Sequence, residues 1–294
     1  MIGFRAHDFG KFDDFDCLIN EIKKFNTPTC IQFALSKVLN NYNSYSNLPN
    51  EVAKEFSTKL LENNISIAII GCYINPIHPN IEIRKKQWDD FEKALVKAKY
   101  LNCPYVATET GITNLNDEYD IETFSQKNLT IFYNFLDKML PIAQKNNSII
   151  TIEPVADKHT ICSIERTTNM LNKFKCENLK IIYDSVNLMS KQAIKEIDGS
   201  VKKVPTYEAQ KKFHDYFLNV LYKDIVALHI KDFKIDNHGN KIGDLPIGSG
   251  VMNYKALFDS LNNHQIKAPK LLEMVDLNTL NQTIKTLKTL DIND

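Results

Sequence analysis

The feature that most constrains this chain is an alternation of short, β-rich apolar runs with longer segments of helical periodicity, repeated eight times. In most of the helical segments, apolar residues recur three and four positions apart. The predicted strands are residues 2–5, 29–34, 66–72, 105–108, 149–153, 180–184, 226–230 and 270–273. The predicted helices are residues 15–25, 50–62, 83–101, 121–145, 163–174, 207–221, 254–261 and 277–290.

This alternation predicts an α/β fold, a single-domain (β/α)8 TIM barrel over residues 1–294. The alternative is an open, doubly wound sheet of eight strands. Such sheets usually have fewer strands and often begin with a glycine fingerprint, whereas no GxGxxG or Walker sequence is present. Segments 191–205 and 233–252 are predicted to elaborate the face where the strands end, which suggests a covered pocket.

Composition removes several classes of function. The 36 basic and 36 acidic residues give no net charge, so the field that nucleic-acid binding relies on is missing. No apolar run approaches the roughly 18 residues of a membrane span, and the charged N-terminus does not resemble a signal peptide. We therefore expect a cytoplasmic protein with neither a nucleic-acid nor a membrane partner. The six cysteines lack a CxxC pair and are predicted to be buried, reduced thiols.

Four consecutive predicted strands, from the fifth onward, end in a side chain that can bind a metal. These are Glu153 in ITIEP, Asp184 in KIIYD, His229 in ALHIKD and Glu273 in KLLEM. If the strands are barrel neighbours, these side chains converge into a mixed oxygen and nitrogen site that suits Mn²⁺, Mg²⁺ or Co²⁺, and less typically Zn²⁺. Alternatively, each residue caps the next helix or bridges a neighbouring strand. Three converging carboxylates without a cation would, however, raise one another's pKa.

The motifs resemble the xylose isomerase-like TIM barrel superfamily of sugar phosphate isomerases and epimerases, which is related to ketose 3-epimerases and more distantly to endonuclease IV. The resemblance is carried by residues 73–111 and then by TIEP, YDSVNL, LHIKDF, LPIGSGVMNYKALFDSL and LLEM. It implies that Glu153, Asp184, His229 and Glu273 bind one divalent metal ion and that the substrate is a small carbohydrate. Since relatives are often dimers or tetramers, a homodimer or homotetramer is expected.

The resemblance and the chemistry lead to the same mechanism. A metal ion that binds a carbonyl and its neighbouring hydroxyl acidifies the C–H between them and stabilises an enediolate. Glu153 and Glu273 are the predicted catalytic acid/base pair on either side of that carbon. The alternatives are a metal-dependent dehydratase or hydrolase, an AP endonuclease-like enzyme, and an inactive sugar-binding relative. A three-zinc nuclease needs further strand-end histidines beyond the three found near predicted strand ends, His7, His78 and His229.

Substrate contacts are predicted at several other strand ends. Asn187 lies three residues after Asp184, where several relatives carry a substrate-binding histidine, and its alternative role is a turn or helix cap. His7, His78 and Glu109 follow predicted strands, and a structural salt bridge is the alternative for Glu109. Further candidates to line the pocket are Arg5, Tyr73 and Asn75.

Lys231 and Asp232 follow His229 directly. Lys231 is predicted to contact substrate, although strand alternation points it away from His229. The same alternation returns Asp232 to the side of His229, so Asp232 is predicted to orient the ligand or a substrate cation, with a simple ion pair as the alternative. The nearby sequence Gly248-Ser249-Gly250 lacks the lysine of a phosphate loop and is predicted to be a turn.

Overall fold

The protein is described here from a computed structural model that covers residues 1–25, 29–116, 118–192 and 194–290. Its strands are β1 (Ile2–Arg5), β2 (Thr29–Phe33), β3 (Ile65–Gly71), β4 (Tyr105–Glu109), β5 (Ile149–Glu153), β6 (Leu179–Asp184), β7 (Ile225–Ile230), β8 (Asp232–Ile235), β9 (Lys241–Leu245) and β10 (Lys270–Leu272). Strands β1 to β7 and β10 form a closed parallel barrel in the order β1-β10-β7-β6-β5-β4-β3-β2. Because β1 pairs with both β2 and β10, the predicted (β/α)8 barrel is confirmed and the open sheet is excluded.

Each of the eight predicted helices is found, with most ends within a few residues of the prediction, and two further helices of four residues each were not predicted. The helices are α1 (Phe15–Ile22), α2 (Leu35–Val38), α3 (Asn50–Glu62), α4 (Ile81–Lys97), α5 (Gln126–Lys145), α6 (Ile164–Phe174), α7 (Ser185–Leu188), α8 (Tyr207–Leu221), α9 (Tyr254–Asn263) and α10 (Leu280–Lys288). The predicted helix over residues 121–145 is divided, because Ser125 caps α5 by accepting a hydrogen bond from the Asn128 N–H. A 3₁₀ turn, Ile121–Phe124, precedes that cap.

Strand alternation fixes which residues reach the mouth of the barrel. A small buried cluster lines the barrel interior, separate from the larger core between strands and helices; its members are Cys30, Ile69, Ala107, Ile182, Ala227 and Leu271. Each side chain two residues further along the same strand points to the same side and lies nearer the carboxyl end. Ile182 therefore places Asp184, and Ala227 places His229, on the inner face at the mouth.

The segment 233–252 contains an antiparallel hairpin, β8 and β9, that the sequence analysis did not predict. Asp232 does not turn back towards His229. Its carboxylate accepts hydrogen bonds from the backbone N–H groups of Gly248, Gly250 and Met252 at 3.0, 3.0 and 2.9 Å. The alternation argument fails here because β7 ends at Ile230. The predicted turn at residues 248–250 is confirmed, and it is folded around Asp232.

The cysteines agree only in part with the sequence prediction. All six are free, but Cys17 is exposed, and Cys162 and Cys176 are partly buried. The prediction of a buried thiol is therefore wrong for Cys17, which lies on the outer face of α1, a helix that buries Leu18, Ile19 and Ile22. Among the described helices, none is long and apolar enough to cross a membrane.

Candidate metal centre

Three metal-capable side chains converge at the carboxyl ends of β5, β6 and β7. Glu153, Asp184 and His229 are each at most 3% exposed, and one ligand atom from each lies within 4.8 Å of the others. The Nδ1 atom of His229 is 3.2 Å from Glu153 Oε1 and 3.9 Å from Asp184 Oδ2. The strands are consecutive neighbours in the barrel, so their strand-end side chains share one space.

Glu273 lies at the edge of this cluster. It follows β10, and its Oε1 is 3.2 Å from His229 Nδ1. The same oxygen is 3.2 Å from the Arg5 guanidinium, and Oε2 is 3.0 Å from Lys231 Nζ. Glu273 is therefore held by two cationic side chains, and it does not belong to the tight group of three ligand atoms.

A chain of hydrogen bonds orients the His229 ring. Its Nε2 donates a hydrogen bond to Gln32 Oε1 at 2.6 Å. The Gln32 amide donates to the Tyr73 hydroxyl at 2.9 Å, and Tyr73 donates to Glu153 Oε2 at 3.2 Å. Because Nε2 is the donor, Nδ1 is the free metal-binding atom in the neutral ring. Sequence reasoning missed Gln32; the available signal was an amide within the apolar strand TCIQF.

Two buried atoms in this cluster, Asp184 Oδ2 and His229 Nδ1, are held by ion pairs without a well-aligned hydrogen bond. Asp184 Oδ1 accepts hydrogen bonds from the backbone N–H groups of Val186 and Asn187, both at 2.9 Å, so one oxygen of this carboxylate has the helix-capping role considered above. The other oxygen, Oδ2, lies 2.9 Å from Lys231 Nζ, and His229 Nδ1 lies 3.2 Å from both Glu153 Oε1 and Glu273 Oε1. A metal ion could take the place of the proton on Nδ1. A carboxylate oxygen and an imidazole nitrogen that face each other in this way fit a divalent cation.

The charges of the cluster are strongly interdependent. Burial alone would lower the pKa of His229, but the carboxylates of Glu153 and Glu273 outweigh it and raise that pKa to about 9. Burial would likewise raise the pKa of Glu153, yet the His229 charge brings it below its usual value. For Asp184, burial prevails over the attraction of Lys231 and raises the pKa. Three carboxylates, those of Glu153, Asp184 and Glu273, thus share one buried cluster with the cationic groups of His229, Lys231 and Arg5.

The cluster opens into a cavity of ≈ 610 Å³. Four of the predicted substrate-binding residues line it: His7, Glu109, Asn187 and Lys231. His78 is not among the lining residues, since its Nδ1 accepts the Asn80 N–H at 3.1 Å at the start of α4. It lies seven residues beyond Gly71, the last residue of β3. Lining residues that sequence reasoning missed are Gln32, Lys37, Lys158, His159 and Asp244.

Glu109 sits beside the metal-capable cluster on the neighbouring strand. It is directly paired with Glu153 in the β4–β5 register. Burial, followed by the charge of Glu153, raises the pKa of Glu109 to about 7. Its Oε2 is 3.9 Å from His159 Nε2, a loop histidine that the spacing of the strands did not identify. Burial lowers the pKa of His7, on the other side of the cavity, to about 3, so that ring is neutral.

Asn187 and Lys231 connect the cluster to the cavity. The Asn187 amide donates to Glu153 Oε1 at 2.7 Å, and its oxygen accepts from Lys231 Nζ at 2.9 Å. Strand alternation had pointed Lys231 away from His229. Because Lys231 follows the end of β7, its long side chain instead reaches Asp184 at 2.9 Å.

A closed parallel barrel with a buried Glu–Asp–His cluster at neighbouring strand ends defines a class of barrels with a candidate metal site at the mouth. The family model described as xylose isomerase-like TIM barrel matches residues 29–290, and the chain belongs to this family. The resemblance inferred from the motifs is therefore confirmed. A search of curated proteins finds no significant match.

Solved structures show the same fold at low sequence identity. A D-tagatose 3-epimerase-like protein has a TM-score of 0.71 at 14% identity, covering 98% of this chain and 96% of that one. A 3-keto-D-glucoside 4-epimerase from E. coli has a TM-score of 0.67 at 14% identity, covering 98% of each chain. A xylose isomerase-like TIM barrel protein from Mycobacterium smegmatis, in complex with magnesium, has a TM-score of 0.68 at 13% identity, covering 98% and 94%.

Proposed function

We propose that this protein is a divalent-metal-dependent isomerase or epimerase that acts on a small sugar or sugar derivative through an enediolate. The observation that carries the proposal is the convergence of Glu153, Asp184 and His229 beside a polar cavity, with one ligand atom from each within 4.8 Å of the others. The sugar epimerases among the structural neighbours support the same class of reaction.

Glu153, Asp184 and His229 would hold the ion, with Glu273 completing the set from the edge of the cluster. The oxygen-rich donors suit Mn²⁺, Mg²⁺ or Co²⁺ better than Zn²⁺. When bound, such an ion supplies Lewis-acid polarisation of a carbonyl and its adjacent hydroxyl. The magnesium complex of the mycobacterial neighbour supports a divalent ion on this fold.

Glu153 and Glu273 would move the proton. The pKa of each carboxyl lies below its usual value in spite of burial, because the His229 charge stabilises the ionised form. Both are therefore carboxylates near neutral pH, as a base that removes a C–H proton must be. The proton taken by one carboxylate returns to carbon from that group or from the other. Return of the proton from the other carboxylate, on the opposite face, inverts the configuration of that carbon.

The remaining cavity residues would bind the hydroxyl groups of a carbohydrate. Asn187 has a second amide N–H to donate, and Glu109 and His7 offer an acceptor and a neutral imidazole. Lys231 lines the same cavity, with its ammonium directed at the neighbouring oxygens. A volume of ≈ 610 Å³ is in the range of small-molecule sites and leaves room for a monosaccharide or a derivative of one.

Solvent-deuterium exchange tests this function. Protein loaded with Mn²⁺ is incubated in D₂O with a panel of ketoses, aldoses and sugar acids, and products are followed by NMR. An enediolate route places deuterium at the reacting carbon. A dehydratase would release water from the substrate, and a hydrolase would cleave it. Either result, without exchange, would contradict the proposal.

Binding of the ion is expected to depend on pH. Since the pKa of His229 is raised to about 9 in the metal-free protein, the ring is an imidazolium near neutral pH. A metal ion needs the neutral ring, so each Mn²⁺ must displace one proton. The apparent affinity should rise roughly tenfold per pH unit from about pH 7 to the His229 pKa and then level off. Calorimetry in buffers of different ionisation enthalpy would count the proton. A proton count of zero at neutral pH would show that His229 is not a ligand.

A further inference from the structure

The Lys231 ammonium is surrounded by oxygen atoms. Its Nζ lies 2.9 Å from Asp184 Oδ2, 3.0 Å from Glu273 Oε2 and 2.7 Å from Asp244 Oδ1, and it donates to Asn187 Oδ1 at 2.9 Å. The lysine side chain is 3% exposed. Three carboxylates and one amide, from three separate segments of the chain, thus meet around one positive charge.

This set of oxygens exceeds what an ammonium needs. An ammonium has three N–H donors, whereas four oxygens lie within 3.0 Å of Nζ. Carboxylate and amide oxygens in this number are the ligands that Mg²⁺ and Mn²⁺ prefer. Contraction of each contact to about 2.1 Å would require side-chain shifts of under about 1 Å.

Asp184 connects this group of oxygens to the metal centre. Its Oδ2 is buried and lies 2.9 Å from Lys231 Nζ and 3.9 Å from His229 Nδ1. The same carboxylate oxygen therefore faces two cation positions. Glu273 does so as well, with Oε1 towards His229 and Oε2 towards Lys231.

We propose that Lys231 fills a second cation position beside the metal centre, so that its ammonium replaces a second divalent ion and limits the chain to one. The inference rests on the proposed function, which supplies the first cation. Asp244, to which the sequence analysis assigned no role, supplies one carboxylate of this second position, because the hairpin that contains β9 brings it to Lys231. The fixed ammonium also holds Asp184 and Glu273 in place before an ion binds.

The test counts Mn²⁺ ions bound per chain, by equilibrium dialysis with elemental analysis and by electron paramagnetic resonance. The wild-type chain is expected to bind one ion. Lys231→Ala, which removes the ammonium and leaves its space, should bind two, and the pair should show spin coupling. Lys231→Ala combined with Asp244→Asn should return to one. Lys37→Ala is the matched control, because Lys37 lines the same cavity with its Nζ over the Tyr73 ring, 5.1 Å from the centroid. The Lys37→Ala variant should bind one ion, like the wild type.

The outcomes separate this inference from the proposed function. One ion in both the wild type and Lys231→Ala would overturn the inference and leave the metal centre intact. No ion in the wild type would overturn the proposed function and, with it, the inference. Two ions in the wild type would overturn the inference alone. Lys231→Ser, which also leaves space and adds a water-like hydroxyl, replaces Lys231→Ala if circular dichroism shows that the alanine variant is unfolded.

Discussion

Replacing His229 by alanine should abolish the stabilisation that Mn²⁺ confers on the wild-type protein. At a free Mn²⁺ concentration of about 100 times Kd, binding adds about 2.7 kcal/mol to the free energy of unfolding. For a chain of this size, that corresponds to a rise of roughly 5 to 10 °C in melting temperature. His229 supplies the one nitrogen ligand of the cluster and the charge that keeps Glu153 and Glu273 ionised. The measurement is thermal unfolding of EDTA-stripped protein with and without Mn²⁺.

The metal-free His229→Ala chain should also unfold more easily, by about 3 kcal/mol, because a buried charge loses its partner. His7→Ala is the control: His7 lines the same cavity but is a neutral ring, and the Mn²⁺ response should persist. If His229→Ala kept the full Mn²⁺ response, the ion would bind elsewhere, and the Glu153–Asp184–His229 cluster would have to be assigned another role.

Replacing Glu273 by glutamine should stop solvent-deuterium exchange while Mn²⁺ remains bound. Glu273 is the expected acid/base partner of Glu153, and loss of such a group typically costs 10²- to 10⁴-fold in rate, so we expect a fall of about 10²-fold or more. The carboxylate lies outside the tight group of three ligand atoms, and a glutamine of the same shape keeps an oxygen for the ion. Exchange rate and Mn²⁺-dependent melting are measured on the same preparation.

Glu153→Gln provides the contrast, since it removes both a predicted base and a member of the tight group, and both readouts should decline. Glu165→Gln, an exposed change on α6, should alter neither. Undiminished exchange in Glu273→Gln would mean that another residue transfers the proton. Glu109, which lines the cavity and is paired with Glu153 in the β4–β5 register, would then be the candidate.

The barrel was predictable because its signal is repeated. All eight barrel strands lie where the apolar runs predict them, to within about two residues at either end, because barrel strands are buried on both faces and read as continuous apolar segments. The hairpin β8–β9 was missed because it carries the charged, glycine-containing sequence KIGDL in one arm and has exposed positions. Local pattern alone does not distinguish such a hairpin from a loop.

The metal-capable cluster was predictable for the same topological reason. Once strands are neighbours in a parallel barrel, their carboxyl ends share one mouth, so Glu153, Asp184 and His229 had to meet. Gln32 could not be found in this way. Its role depends on a hydrogen bond to His229, which lies 197 residues away in the chain and on a strand that β10 and β1 separate from β2 in the barrel.

By itself, the sequence determined the barrel, the face on which its strand-end residues converge and the family to which the chain belongs. These follow from strand periodicity, from the order of the strands and from motifs that need no knowledge of side-chain position. Only the tertiary structure decided which way Lys231 and Asp232 turn, because alternation holds only within a strand and β7 ends at Ile230. Beyond that point, the contacts available to each side chain decide where it lies. The Lys231 ammonium pairs with the carboxylates of Asp184, Glu273 and Asp244. The Asp232 carboxylate accepts hydrogen bonds from backbone N–H groups of the loop that follows it.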